Sequence, residues 1–261
     1  MSSYFETGEY PDFFPPAGLR KGRSPRDGYA RGWGLEYGGL RDAILADPLY
    51  GQAASLIAGR AIQASDCRLN LYLILKYFFP ELLKQTDTGS IVEFGSYRGG
   101  SAIFLAAVCE RLGYDVRVFG LDTFEGMPPT DKSIDAHFAG NFSDVDLPEL
   151  REYVERCGLA QRLVFVKGLF RDTAPGVLAS AQPVLLAHID CDVHDAVAYA
   201  WETVKPHMAP GGYVVFDDAT TSGCLGATEA VEALVVRRDG LHAEQVWPHA
   251  VFRVWPGTAS S

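Results

Sequence analysis

Residues 92–101 are VEFGSYRGGS, a short apolar run that ends in a turn containing three glycines. This pattern predicts a β-strand, a Gly-rich turn and the first turn of a helix. Residues 120–128 are GLDTFEGMP, which predicts that the next strand ends at Asp122. In an open α/β sheet the first turn lets a ligand approach the backbone, and an acid on the second strand binds ribose hydroxyls. The two stretches together predict a nucleoside pocket.

The composition is that of a globular protein. The chain has 261 residues, of which 48% are hydrophobic and 21% are charged, and this fits one α/β domain with an appended segment. The formal net charge of −10 disfavours nucleic acid as a partner, because an acidic protein repels a phosphate backbone. No apolar run reaches the ~18 residues that a membrane-spanning helix needs.

The cysteines and the N-terminus bear on the cellular compartment. The five cysteines show no CxxC spacing, and the N-terminal residues lack the basic and then apolar pattern of a signal peptide. We therefore expect reduced thiols in a cytoplasmic protein that has no membrane partner.

Predicted strands alternate with predicted helices over most of the chain. The strands are expected at residues 91–95, 116–121, 163–167, 184–189, 212–216, 244–247 and 250–255. The helices are expected at residues 41–62, 67–84, 99–112, 147–158, 195–205 and 226–238. This alternation predicts a mostly parallel seven-stranded sheet with helices on both faces. The final two strands break the alternation, so they should form an antiparallel hairpin at the edge of the sheet.

The N-terminal part is predicted to differ from the rest. We expect residues 1–66 to form an irregular arm and a helical lid, and residues 67–261 to form the α/β domain. Residues 1–40 contain many prolines, glycines and aromatic residues. Because disordered tails contain few aromatic residues, this arm should pack on its own domain, on a neighbouring subunit, or over a substrate. An aromatic arm would suit a large flat acceptor.

The glycine turn differs from that of dinucleotide-binding proteins. Its spacing is Gly95-x-x-x-Gly99-Gly100 rather than GxGxxG, so no wide turn is available for a pyrophosphate. The helix that follows presents free N–H groups, which favour a carboxylate. Glu93, just before the turn, could accept a hydrogen bond from an ammonium group or order the loop. These features suit the zwitterionic tail of S-adenosylmethionine; the alternative is a turn that serves only packing.

Acidic residues follow two neighbouring strands. Asp190 and Asp192 come after the fourth predicted strand, and Asp217 and Asp218 come after the fifth. The carboxyl ends of these strands should converge at the ligand crevice, where several carboxylates would repel each other unless a cation bound among them. Oxygen ligands of this kind suit Mg²⁺ or Ca²⁺. The alternative is one helix-capping Asp with solvated neighbours.

Two histidines are candidates for a general base. His137 lies in the long loop after the second strand, and His194 lies just beyond Asp190. An imidazole titrates near neutral pH, so either could take a proton from a substrate hydroxyl. A solvated loop histidine is the alternative in both cases, and His188, inside a strand, is expected to be a core residue.

Five motifs in order resemble the macrocin O-methyltransferase family over about residues 68–235. They are Glu93–Ser101, Leu121–Pro128, Lys167–Thr173, His188–Asp192 and Gly211–Asp218. The resemblance implies a Rossmann-like class I methyltransferase that uses S-adenosylmethionine and Mg²⁺ to methylate a hydroxyl of a sugar or phenol in a natural product. It also implies a homo-oligomer, a dimer or larger.

The resemblance also implies roles for individual residues. Asp190, Asp217 and Asp218 would hold the metal. Because a base must take the acceptor's proton, we separately expect Asp190 and His137 to be catalytic. The cofactor would contact Glu93, Phe94, Gly95, Arg98, Gly99, Gly100, Ser101, Asp122, Thr123, Gly168, Leu169, Phe170 and Asp190. Two positions depart from the family pattern, which usually has Tyr where this chain has His194 and often has Tyr where it has Ala219. Both face the side expected to take the acceptor.

Three alternatives remain open at this point. A nicotinamide-dependent oxidoreductase would use a similar sheet, but it predicts a GxGxxG turn and needs no acidic cluster. A non-catalytic module that binds S-adenosylmethionine or a partner protein would not need Asp190, Asp217 and Asp218 together. A methyltransferase whose acceptor is a small metabolite rather than an antibiotic sugar fits the sequence equally well.

Overall fold

A seven-stranded mixed sheet organises the fold, as the sequence predicted. The structure is a computed structural model and describes residues 40–60, 65–86, 88–221, 223–245 and 249–255. The strands are β1 (Gly89–Phe94), β2 (Val116–Asp122), β3 (Leu163–Lys167), β4 (Val184–Ile189), β5 (Met208–Phe216), β6 (Ala243–Gln245) and β7 (Ala250–Val254). Their order across the sheet is β3-β2-β1-β4-β5-β7-β6.

The order of the strands creates a crevice between β1 and β4. Strands β3, β2, β1, β4 and β5 are parallel, whereas β7 runs antiparallel to β5 and pairs with β6 in a hairpin at the edge. The chain winds outward from β1 to β3 and then returns to β4 on the other side of β1. Ligands in such sheets bind outside the carboxyl ends of the strands at this reversal.

Helices cover both faces of the sheet. They are α1 (Leu40–Leu45), α2 (Pro48–Ser55), α3 (Ser65–Leu73), α4 (Phe79–Leu83), α5 (Gly100–Leu112), α6 (Leu147–Arg156), α7 (Phe170–Ser180), α8 (His194–Val204) and α9 (Leu225–Ala230). Apolar residues of α1 to α6 pack on one face, and those of α7, α8 and α9 pack on the other. The buried parallel strands are apolar on both sides, which is why their sequences are continuous hydrophobic runs.

The single helix predicted at residues 41–62 is wrong. Two short helices, α1 and α2, replace it, and the chain turns between them at Asp47-Pro48. The Asp47 carboxylate accepts a hydrogen bond from the Leu49 backbone N–H (3.0 Å), and Pro48 occupies the first turn of α2. This N-cap and proline pair begins a new helix because Pro48 cannot donate a backbone hydrogen bond to continue α1.

The second predicted helix is present but changes its form before Pro80. A π-helical segment, Ile74–Phe78, joins α3 to α4, and the Phe79 N–H donates to the Ile74 carbonyl. Pro80 itself lies in the first turn of α4, where its missing N–H costs little. Helix α9 likewise continues as a π-helical segment, Val231–Arg238, within the helix predicted at 226–238.

Helix α7 has no counterpart in the sequence prediction, because Pro175 and Gly176 weaken the helical pattern inside it. The irregular arm predicted at residues 1–40 lies outside the described residues except for Leu40, which begins α1. Within the described part, Ile44, Tyr50 and Ile57 share one core with α5 and the sheet. The domain boundary proposed at residue 66 stays a prediction. None of the helices in the described ranges is long and apolar enough to span a membrane.

Candidate functional site

A cavity of about 430 Å³ opens at the carboxyl ends of β1, β2, β4 and β5. The glycine turn after β1 and the acidic residues after β4 and β5 contribute to the same wall, together with the long loop after β2. The position is the one that the strand order favours for a ligand. The glycine turn and the acidic residues, which are far apart in the sequence, therefore border the same cavity.

The turn after β1 can be formed only with glycine at its first position. Gly95 has φ +90°, and a Cβ atom there would lie 1.8 Å from the Asp190 carbonyl oxygen. Gly99 has φ +76° and forms the N-cap of α5, and its N–H donates to the Ser96 carbonyl (2.6 Å). Gly100 and Ser101, in the first turn of α5, line the cavity. The free N–H groups of this turn favour an anionic group of a ligand.

Glu93 does not line the cavity; its side chain lies beneath the turn after β1 and holds that turn in place. Its carboxylate is fully buried, and it accepts a hydrogen bond from the Ser96 hydroxyl (2.6 Å) and lies 3.0 Å from Nδ1 of His188. Burial lowers the pKa of His188, but the carboxylates of Asp217 and Glu93 on either side raise it to about 9. A protonated His188 thus links β1 and β4 to the acidic residues after β5.

Asp122 ends β2 at the edge of the cavity. Its two carboxylate oxygens accept hydrogen bonds from the backbone N–H groups of Tyr97 (2.8 Å) and Phe124 (2.7 Å). These bonds hold the Gly-rich turn and the loop after β2 against each other. A carboxylate has about four acceptor positions, so these two bonds leave capacity for ligand hydroxyls.

Two of the acidic residues that follow β4 and β5, Asp190 and Asp217, lie close together and close to His188. Each of His188, Asp190 and Asp217 has one nitrogen or oxygen atom that could bind a metal, and these three atoms lie within 4.8 Å of one another. Burial raises the pKa of Asp190 well above its ordinary value, and the charges of Asp217 and Asp218 raise it further. Burial also opposes ionisation of Asp217, but the imidazoles of His249 and His188 lower its pKa overall.

Asp218 has a different environment from Asp217. Its carboxylate accepts a hydrogen bond from the Asp192 backbone N–H (2.8 Å), which fixes the loop after β4. Asp192 itself has φ +61°, a left-handed conformation that is uncommon for any residue except glycine. All four carboxylates, of Asp190, Asp192, Asp217 and Asp218, line the cavity.

The two candidate bases occupy different positions. His137 lines the cavity, and its Nε2 lies 3.5 Å from Oδ1 of Asp192 and 3.8 Å from Sγ of Cys224. His194 begins α8 outside the cavity lining, and its ring pairs with the exposed carboxylate of Asp195 (2.9 Å). The geometry favours His137 over His194 as the residue that can meet a ligand.

The predicted cofactor residues divide between the cavity wall and its support. Those that line the cavity are Gly95, Gly100, Ser101, Asp122, Thr123, Leu169, Phe170 and Asp190. Those outside the lining are Glu93, Phe94, Arg98, Gly99 and Gly168. Phe94 packs edge-on against Phe170, with ring centroids 5.3 Å apart, and the Arg98 guanidinium pairs with Asp144.

Sequence reasoning missed two residues near the acidic cluster. His249 is fully buried, and its Nε2 lies 2.8 Å from Oδ1 of Asp217. Cys224 precedes α9 and contacts both His137 and Asp192. His249 precedes β7, which pairs with β5, and the turn before α9 returns to the cavity. Only this tertiary arrangement brings the two residues to the site, so no local pattern could have identified them.

The chain is similar in sequence to known O-methyltransferases. Over 162 residues, 59% of this chain and 61% of the relative, the chain is 34% identical to the 8-demethyl-8-(2,3-dimethoxy-alpha-L-rhamnosyl)-tetracenomycin-C 4'-O-methyltransferase of Streptomyces olivaceus. It is 28% identical to the mycinamicin III 3''-O-methyltransferase of Micromonospora griseorubida over 59% of this chain and 64% of that protein. The chain thus spans less than two thirds of the length of these relatives.

Solved structures share the fold. The O-methyltransferase NovP superimposes with a TM-score of 0.58 at 20% identity, covering 72% of this chain and 79% of that one. The calicheamicin methyltransferase CalS11 gives a TM-score of 0.58 at 21% identity, covering 88% of this chain and 93% of that one.

The model of the family described as macrocin-O-methyltransferase (TylF) matches residues 74–238, which is more than half of the chain. The chain belongs to the macrocin-O-methyltransferase family.

Proposed function

We propose that this protein is an S-adenosylmethionine-dependent O-methyltransferase that acts, with Mg²⁺, on a hydroxyl group of a small-molecule acceptor. The observation that carries the proposal is the single cavity shared by the Gly95 turn and the carboxylates of Asp190 and Asp217. Family membership and the named activities of the relatives support methyl transfer to a sugar or phenol of a natural product.

The cofactor would bind at the turn after β1. The first turn of α5, at Gly100 and Ser101, offers backbone N–H groups to a carboxylate, as the methionine end of S-adenosylmethionine requires. Asp122 would accept hydrogen bonds from the ribose hydroxyls. Leu169 and Phe170 provide an apolar surface next to these groups, suited to the adenine ring. The backbone of Gly95 permits the close approach that this position needs.

The acidic cluster fits a divalent cation. Burial and the neighbouring charges of Asp217 and Asp218 raise the pKa of Asp190, and a cation among these carboxylates would offset their repulsion. Oxygen atoms of Asp190 and Asp217, close enough to share one ion, are ligands that Mg²⁺ prefers. Asp218, which follows Asp217 in the chain and also lines the cavity, would complete the predicted set. When bound, Mg²⁺ would act as a Lewis acid that lowers the pKa of an acceptor hydroxyl and fixes its orientation.

The residues of the chain would align the acceptor and take its proton. S-adenosylmethionine already carries an activated methyl group, so alignment and deprotonation are the main tasks. His137 faces the cavity and could accept the proton at Nε2, where Asp192, 3.5 Å away, would stabilise the resulting cation. Asp190 is the second candidate for this role.

We further propose that the protein works as a homo-oligomer, which light scattering would test.

The test is a methylation assay with S-adenosylmethionine and a panel of deoxysugar and catechol acceptors. Turnover should require Mg²⁺, stop when a chelator is added and resume when Mg²⁺ is restored. Asp217→Asn should abolish turnover but still bind S-adenosylmethionine in calorimetry, and Asp195→Asn, an exposed carboxylate outside the cavity, should behave as the unmodified protein does. Turnover in chelator would reject the metal role, and failure to bind S-adenosylmethionine would reject the whole proposal.

A further inference from the structure

A second cluster of metal-ligand candidates lies on the same cavity wall as Asp190 and Asp217 but consists of other residues. It consists of His137, in the loop after β2, Asp192, in the loop after β4, and Cys224, just before α9. Three loops that are distant in sequence thus bring a nitrogen, an oxygen and a sulfur ligand to one place. The proposed methyl transfer does not use Cys224.

The three ligand atoms form a nearly regular triangle. Nε2 of His137 lies 3.5 Å from Oδ1 of Asp192, and Sγ of Cys224 lies 3.8 Å from Nε2 and 3.7 Å from Oδ1. A tetrahedral Zn²⁺ ion with ordinary bond lengths would place nitrogen and oxygen ligands about 3.4 Å apart and sulfur about 3.6 Å from each. The observed edges match these values closely, so a cation would need almost no movement of the ligands.

The three ligand residues all border the cavity, although the Cys224 side chain is itself buried. All three residues line the cavity, and the side chains of His137 and Asp192 are 29% and 19% exposed. A set of one thiolate, one imidazole and one carboxylate suits a borderline-soft cation such as Zn²⁺ rather than Mg²⁺. Three protein ligands with one open corner are also the usual arrangement when a cation faces a solvent-filled cavity.

Binding would change the protonation of the thiol. A divalent cation would displace the thiol proton of Cys224 to solvent, and the thiolate would then serve as a ligand.

The other cysteine cluster in the described part of the chain is less suitable. It joins Cys67 with Asp217 and His249, but Nε2 of His249 lies only 2.8 Å from Oδ1 of Asp217, which is a hydrogen-bonding distance. Cys67 and His249 are buried and do not line the cavity. A cation would have to separate this hydrogen-bonded pair in order to bind both residues.

We propose that His137, Asp192 and Cys224 form a second, softer metal site that takes Zn²⁺ from the cavity. A cation there occupies Nε2 of His137, the atom that would accept the acceptor's proton. Zinc therefore inhibits methyl transfer, a consequence that rests on the proposed function. Binding itself does not depend on that function.

Cobalt spectroscopy tests the binding without an activity assay. The full-length protein is freed of metal, supplied with excess Mg²⁺ to fill the oxygen site, and titrated with Co²⁺. We expect one equivalent of Co²⁺ to produce a thiolate-to-cobalt charge-transfer band and tetrahedral d–d bands, and one equivalent of Zn²⁺ to remove both. Cys224→Ser should lose the charge-transfer band, whereas the matched variant Cys67→Ser should keep it.

A further variant tests the site if Cys224→Ser fails to fold by circular dichroism. His137→Gln keeps the thiol but removes one ligand, so the Co²⁺ affinity should fall by at least about tenfold, since even outer-shell changes cost that much. The proposal is overturned if the unmodified protein gives no charge-transfer band, if the band persists in Cys224→Ser, or if Cys67→Ser removes it. An unchanged affinity in His137→Gln would also overturn it.

Discussion

At Gly95 the backbone of the turn after β1 touches the backbone that follows β4. A Cβ atom at this position would lie 1.8 Å from the Asp190 carbonyl oxygen and 2.7 Å from its carbonyl carbon. Backbone cannot move aside as the end of a flexible side chain can. The close approach therefore fixes the distance between the glycine turn after β1 and Asp190.

We expect Gly95→Ala to destabilise the fold and to displace Asp190. The substitution adds a steric clash to the cost of a positive φ, which is about 1–2 kcal/mol for a residue with a Cβ. Gly113→Ala is the matched control, because Gly113 also has a positive φ (+70°) but a Cβ there would meet nothing within 4 Å. Urea denaturation should show a loss for Gly95→Ala that exceeds the loss for Gly113→Ala; equal losses would contradict the clash.

At the scale of elements, Asp239 ties α8 to the π-helical segment that continues α9. Its carboxylate accepts hydrogen bonds from the Trp201 indole (2.8 Å) and the Lys205 ammonium (3.1 Å), and it pairs with the adjacent Arg238. The hydrogen bond from Arg238 lowers the pKa of Asp239 most strongly, and burial of the carboxylate opposes this effect. With the hydrogen bonds from Trp201 and Lys205, the pKa falls from 3.8 to about 2. The ionised carboxylate thus stabilises the folded state.

We expect Asp239→Asn to lower the free energy of unfolding by about 2 kcal/mol at pH 7, as the pKa difference implies. Because the folded pKa is depressed, this contribution is fully present above the unfolded pKa of 3.8 and is lost as the pH falls from there through about 2. The difference between the two proteins should therefore shrink over that interval in denaturation curves. A difference that stays constant down to pH 2 would show that the charge of Asp239 is not responsible.

The start of α6 offers a second prediction at this scale. The Asp146 carboxylate accepts a hydrogen bond from the Glu149 backbone N–H (3.0 Å), as an N-cap does. Asp146→Ala should cost about 1 kcal/mol of unfolding free energy, whereas Asp146→Asn should cost much less because Asn is also a good N-cap. Thermal unfolding followed by circular dichroism measures both. Equal destabilisation by the two variants would argue against the cap.

The elements that the sequence predicted well are those with strong local signals. The apolar run before Gly95 and the cap at Asp146 gave β1 and the start of α6 correctly. The error at residues 41–62 also had a local cause, since Asp47-Pro48 is a cap signal within an otherwise helical pattern. In the site, Asp190 and Asp217 were predictable because parallel strands end at one edge.

What the sequence could not predict depends on tertiary contacts. Cys224 reaches His137 and Asp192 through the turn that precedes α9, and His249 reaches Asp217 only because β7 pairs with β5. Neither position carries a local signal, since a lone cysteine or histidine is compatible with any buried site. Cys224 is a ligand candidate because its Sγ lies close to His137 Nε2 and Asp192 Oδ1, and these distances depend on how three loops fold together.

At the scale of the whole molecule, the segment before the sheet belongs to the same core as the cavity scaffold. Ile44, Tyr50 and Ile57 pack in one buried cluster with α3, α5 and the sheet, and the Tyr50 ring meets the Phe104 ring of α5 edge-on with centroids 5.8 Å apart. Helix α5 carries Gly100 and Ser101 of the cavity wall on its first turn. The N-terminal helices thus pack against the helix whose first turn forms part of the cavity wall.

A neighbouring pair of residues tests this shared core. Ile44 is 1% exposed and Leu45 is 45% exposed, although the two are adjacent in α1. Ile44→Ala should cost about 2–5 kcal/mol, because it leaves a cavity in the core, whereas Leu45→Ala should change the stability by no more than about 0.5 kcal/mol. If residues 40–60 and the sheet unfold as one unit, Ile44→Ala will shift a single transition seen equally by far-ultraviolet circular dichroism and by tryptophan fluorescence. For the fluorescence, Trp33, Trp247 and Trp255 are replaced by Phe in both proteins, so that the signal comes from Trp201, which is buried on the opposite face of the sheet. A separate early transition in Ile44→Ala, with the Trp201 fluorescence unshifted, would instead show that the N-terminal helices form an independent unit.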